Sequence, residues 1–163
     1  MHVSSTAKKT IAVLAAGSAP LLWTGTAEAD SSAAQKVSFT FEDPPDVGTK
    51  RTTCVFDYSA SRTDPTEADP YTTVSARVAL NLGQSDPTCP DRITTMAVTV
   101  FYRPEPGTGA FLSASGRSEG GTAASVRVRD EGSTELSREF NISASVNDPC
   151  RPCALDTAVP APK

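Results

Sequence analysis

Residues 135–146 read Glu135-Leu136-Ser137-Arg138-Glu139-Phe140-Asn141-Ile142-Ser143-Ala144-Ser145-Val146. Leu136, Phe140, Ile142, Ala144 and Val146 fall on one parity. Glu135, Ser137, Glu139, Asn141, Ser143 and Ser145 fall on the other. A β-strand points successive side chains to opposite faces, so this stretch predicts a strand with one face in a core and one in water. Arg138 is the exception, because it lies on the apolar parity. A buried arginine there would need a carboxylate partner. Its expected place is therefore near the sheet end, with the guanidinium reaching out to solvent.

The same period of two recurs upstream. Val37, Phe39 and Phe41 oppose Ser38, Thr40 and Glu42. Cys54, Phe56 and Tyr58 oppose Thr53, Val55 and Asp57. Val74, Ala76, Val78, Leu80 and Leu82 oppose Thr73, Ser75, Arg77, Ala79 and Asn81. Met96, Val98, Val100 and Tyr102 oppose Thr95, Ala97, Thr99 and Phe101. Val126 and Val128 oppose Ser125, Arg127 and Arg129. A weaker strand is expected over residues 110–116, and residues 116–121 read as a hairpin loop. Breakers such as Asp43-Pro44-Pro45, Asp69-Pro70, Asp86-Pro87, Pro106-Gly107 and Asp148-Pro149 separate the runs. About seven strands without helix signals predict an all-β, antiparallel, two-sheet β-sandwich, immunoglobulin-like in the broad sense. A closed barrel is the alternative. The resemblance is architectural only, since no tryptophan lies between the cysteines.

The chain opens differently. Lys8 and Lys9 precede an apolar run over residues 11–23, and Ala27-Glu28-Ala29 follows. That is the layout of a cleavable secretory signal peptide over residues 1–29. Residues 30–153 are then expected as one sandwich domain and residues 154–163 as a flexible Ala/Pro tail. Cleavage would remove His2, the one histidine, and Trp23, the one tryptophan. The formal net charge is −4 over the full sequence. It becomes one unit more negative without Lys8, Lys9 and Glu28. A mildly acidic chain argues against nucleic acid as a partner. No later run is long enough for a membrane anchor in the mature chain. The expected localisation is secreted.

Cys54, Cys89, Cys150 and Cys153 all follow the leader. An even number in an oxidising compartment reads as two disulfides. The favoured pairing is Cys54–Cys89 with Cys150–Cys153, the first spanning two strands and the second closing a small ring. Crossed pairings would pin the tail to the body instead.

The chemistry is mostly bounded by exclusion. Without histidine there is no Ser-His-Asp arrangement and no His-containing zinc site. No phosphate loop is present, and neither a cofactor nor a metal is expected. The Cys150-Arg151-Pro152-Cys153 motif follows a strand rather than opening a helix, so it reads as a structural bridge. Asp64, Glu67 and Asp69 cluster in one loop. Such carboxylates can hold calcium or serve as paired acids in a glycosidase, but an acidic turn is the expected reading. Residues 89–93, Cys-Pro-Asp-Arg-Ile, could present Arg92 to a trypsin-like protease, although Arg92 is expected to open a strand. Asn141-Ile142-Ser143 fits a glycosylation sequon on the wet face. Phe101 interrupts the otherwise polar outer face of its strand and marks a contact patch or a covered face. The resulting expectation is a non-enzymatic, disulfide-stabilised protein that binds an extracellular protein or glycan. A serine-protease inhibitor using residues 89–93 and a small hydrolase using loop carboxylates are the alternatives.

Overall fold

A computed structural model describes residues 31–46, 48, 50–147 and 149–163. The expected leader, with His2 and Trp23, lies outside them. The chain forms β1 (Ser31–Glu42), β2 (Arg51–Thr63), β3 (Tyr71–Leu80), a single helical turn α1 (Cys89–Arg92), β4 (Ile93–Arg103), β5 (Leu112–Glu119), β6 (Ala123–Glu131), β7 (Glu135–Leu136), β8 (Glu139–Val146) and β9 (Ala154–Pro160). Two antiparallel sheets result. The first has the order β1-β2-β3-β6, and the second β5-β4-β8-β9 with β7 paired to β4. This is the expected β-sandwich. Placing β2, β3 and β6 as strands A, B and E, and β5, β4, β8 and β9 as C′, C, F and G, reproduces immunoglobulin-type connections. β1 is then an extra strand beside A.

The apolar parity of each strand fills the space between the sheets. Phe41, Cys54, Phe56, Met96, Val98 and Val100 are completely buried, and Phe140, Ile142 and Val159 nearly so. Phe39 and Phe41 pack with ring centroids 5.6 Å apart. Tyr58 is also buried, and its hydroxyl donates to the Pro160 carbonyl at 2.8 Å. Burial pushes the Tyr58 hydroxyl pKa well above the usual phenol value. The bond matters because a buried hydroxyl left without an acceptor costs about 1–3 kcal/mol. It also ties the first sheet to the last strand of the second.

Several local expectations change. The Ala/Pro segment expected as a flexible tail supplies β9. Its inward Leu155, Thr157 and Val159 alternate with Ala154, Asp156 and Ala158, and it pairs with β8 from Glu139↔Pro160 to Ser145↔Ala154. Arg92 ends α1 and does not open a strand; β4 begins at Ile93. The glycine-rich stretch 116–121 is strand through Glu119, and the turn falls at Gly120, whose φ is +64°. β5 itself begins at Leu112, two residues later than expected, and β3 stops at Leu80, so Leu82 lies in the following turn and is 65 % exposed instead of facing inward. Arg138 is exposed as expected, but for a different reason. The strand breaks at Ser137–Arg138 between β7 and β8, so its inward register ends before Arg138.

Both disulfides lie at one end of the sandwich. Cys54–Cys89 links β2 to α1 with Cα atoms 5.8 Å apart, and Cys150–Cys153 closes the turn between β8 and β9 at 5.2 Å. That turn is held to β1, because Glu42 and Arg151 exchange two backbone hydrogen bonds of 2.8 Å. Among the described residues no helix is long and apolar enough to cross a membrane.

Candidate functional site

The disulfide-bearing end is organised around Arg92. Its Nε donates to Asn147 Oδ1 at 2.6 Å, and one Nη donates to Asp43 Oδ1 at 3.0 Å and to the Pro149 carbonyl at 3.1 Å. The guanidinium carbon lies 4.8 Å from the Phe41 ring centroid. The side chain is 19 % exposed. One cation therefore joins the β1–β2 loop, α1 and the β8–β9 turn. An inhibitor of the kind considered presents its arginine in an extended loop, whereas Arg92 is the last residue of a helical turn and its guanidinium is engaged by its own fold. Arg92→Ala is expected to lower the unfolding free energy by about 2 kcal/mol, the value of several hydrogen bonds to a charged group less relaxation. Urea denaturation checks it, and wild-type stability in this variant would contradict the network. The wild-type protein is expected to leave trypsin uninhibited.

The carboxylates at the opposite end build a turn. Asp64 is paired with Arg62, and Asp69 accepts from Arg129 at 3.0 Å and from the Tyr71 amide at 3.3 Å. Glu67 is exposed. Arg129 also stacks on Tyr71, 4.2 Å from its centroid. Two of the three carboxylates are thus engaged by arginines that shape the β2–β3 loop. Among the described residues no group of three or more His, Cys, Asp or Glu side chains could hold a metal ion. Nearby, Arg103 stacks on Phe111 at 4.2 Å and binds Glu135, whose other oxygen accepts from the Gly107 amide at 3.0 Å. The amide, then the guanidinium, hold the Glu135 carboxyl pKa below the usual carboxylate value.

The face carrying Phe101 offers a different geometry. Phe101 projects from β4 on the outer side of the second sheet and is half-buried. The break at Ser137–Arg138 interrupts the neighbouring strand beside it, with the Ser137 amide donating to the Phe101 carbonyl at 3.1 Å. The result is an open groove of about 390 Å³ lined by Phe101, Ser137, Glu139, Asn141, Asp156 and Ala158, among others. Asn141 Nδ2 donates to Asp156 Oδ1 at 2.6 Å, which aligns an amide and a carboxylate across β8 and β9. The Asn141 side-chain oxygen Oδ1 is buried and has no hydrogen-bond partner among the described residues. The groove's volume lies in the range of small-ligand sites, roughly 300–1,000 Å³. It joins an apolar ring to several donors and acceptors.

Of the residues picked out from sequence, this groove takes Phe101 and the sequon residue Asn141 and leaves Arg92, Asp64, Glu67 and Asp69 elsewhere. Glu139 and Asp156 were not picked out. Glu139 lies on the wet parity of its strand, whereas Asp156 lies on β9, a segment whose sequence reads as a tail. Comparison of the chain with protein-family models, with curated proteins and with solved structures finds no match in any of the three.

Proposed function

We propose that this is a secreted, non-catalytic binding protein whose partner is an extracellular glycan, held in the Phe101 groove. The observation carrying the reading is the combination in one groove of an aromatic ring with the Asn141–Asp156 pair and Glu139. A sugar presents C–H faces that pack on an aromatic ring and hydroxyls that bond to amides and carboxylates, and the groove supplies both partners. Its open shape suits a chain passing over the sheet. Two disulfides fit a protein of an oxidising compartment, and the expected leader accounts for its delivery there.

Affinity electrophoresis through gels cast with neutral polysaccharides (a soluble β-glucan, xylan and mannan) tests the reading. Retardation by at least one is expected, with Phe101→Ala weakening it at least tenfold and no reducing ends released. Absence of retardation in every gel, or unchanged retardation of Phe101→Ala, overturns it. Released reducing ends would instead favour a hydrolase, with Glu139 and Asp156 as its acids. A protein partner is the remaining reading, and capture by protein but not by any polysaccharide would select it.

A further inference from the structure

The outer face of the first sheet carries a second, separate feature. Arg77 on β3 pairs across the ladder with Ser125, and Arg127 on β6 pairs with Ser75. The two arginines are thus diagonal neighbours on one face, and both are exposed. Neither has an ion pair or a side-chain hydrogen bond among the described residues. Two acids of this face are already engaged, and Glu131 stands four residues along β6 from Arg127, about 13 Å at the usual strand rise. Asp57 lies against Lys36 and accepts from Asn81, and Asp69 binds Arg129. In a chain of net charge −4, two adjacent cations have been left without counter-charges.

The surface beside them is concave. Ser59, Ser61, Ser75 and Ser125 are the neighbouring outward residues, and their short side chains leave a groove of about 700 Å³ over β1, β2, β3 and β6. No acidic and no aromatic residue lines it. It crosses four strands, a span of about 14 Å at the usual strand spacing.

We infer that this face binds a linear anionic glycan, with Arg77 and Arg127 holding its carboxylate or phosphate groups and the serine hydroxyls meeting its sugar hydroxyls. Charge complementarity selects an anion. Guanidinium groups form charge-assisted, often paired hydrogen bonds to carboxylate and phosphate. The floor then selects among anions. Its apolar lining is alanine and one valine, set among serines, and it has no aromatic ring for bases to stack on, whereas each serine hydroxyl both donates and accepts, as a sugar does. This surface lies on the opposite side of the sandwich from the Phe101 groove, so the inference stands independently of the function proposed above.

The test is affinity electrophoresis at low salt with polygalacturonate (carboxylate) and a phosphomannan (phosphate), each arm separating one anion source. Poly-glutamate and duplex DNA represent the other classes of polyanion. Retardation by one or both glycans is expected, at least tenfold weaker in the Arg77→Ala/Arg127→Ala variant and weaker at high salt. Arg117→Ala removes one charge from the other sheet and is expected to change nothing, as is Phe101→Ala. Ser61→Val/Ser75→Val keeps both arginines, and a severalfold loss is expected. The inference is overturned by no retardation in either glycan, by equal retardation in poly-glutamate or DNA, or by wild-type binding in either double variant. Circular dichroism of each variant confirms the fold, and these exposed positions are expected to leave it intact.

Discussion

Gly116→Ala is expected to lower the unfolding free energy by at least about 3 kcal/mol, above the roughly 1–3 kcal/mol of ordinary overpacking. A Cβ at this position would lie 1.8 Å from the Ser125 carbonyl oxygen and 2.3 Å from its carbon. Both are backbone atoms of β6, which belongs to the other sheet, so no side-chain rotation relieves the clash. The two strands must separate. They are the edges of their sheets on this side of the sandwich, and the glycine is what lets those edges close over the core. Gly107 makes the comparison. Its φ is +77° with nothing within 4 Å, so alanine there is strained only by its backbone and costs about 1 kcal/mol. Urea denaturation of the two variants decides the matter. A Gly116→Ala protein within about 1 kcal/mol of wild type would show that the close approach is not a feature of the fold in solution. The variant also shifts Ser125 on the basic face, so weaker anionic-glycan binding is expected with it.

Gly116 also shows where the sequence stops being legible. A period of two identifies a strand because pleating alone imposes it, and it placed the cores of β1, β2, β3, β4, β6 and β8. It says nothing of two strands approaching edge to edge, so a glycine inside β5 resembled a turn glycine. β9 was hidden for another reason. Leu155 and Val159 do alternate, but the Asp156 and Ala158 between them and the Pro160 after them have low strand preference, and pairing with β8 overrides that preference. The first half of β1 is similar. Ser31 to Lys36 carries no apolar stripe, yet the ladder to β2 runs from Ser31↔Arg62 without a gap.

The two proposed faces divide along the same line. Phe101 was conspicuous because one large apolar residue interrupts a polar parity, and that signal is local. Its groove is not local, since it needs the break at Ser137–Arg138 and the unforeseen β9. Arg77 and Arg127 were each legible as outward residues. Their adjacency depends on the register of β3 with β6, strands some fifty positions apart, and register is set by the assembled sheet. That the neighbouring acids are engaged elsewhere is likewise a property of the fold.

Removing Cys54–Cys89 is expected to cost about 3–4 kcal/mol, and removing Cys150–Cys153 about half as much. In the chain-entropy account a bridge stabilises by restricting the unfolded chain, and the restriction grows with the loop it closes. The first bridge spans a sequence separation of 35 and the second only 3. Cys54 and Cys89 are also fully buried, so Cys54→Ala/Cys89→Ala loses packed sulfur as well as the constraint. The short bridge acts locally by shaping the turn whose Arg151 pairs with Glu42. Denaturation of the two double-alanine variants under non-reducing conditions gives the ratio directly. Equal losses would mean that the Cys150–Cys153 turn contributes through its contact with β1 and not through loop closure. If the ratio holds, the longer bridge supplies a large part of the roughly 5–15 kcal/mol typical of a domain. The fold would then depend on an oxidising environment, and that dependence is the physical link between these cysteines and the proposed extracellular role.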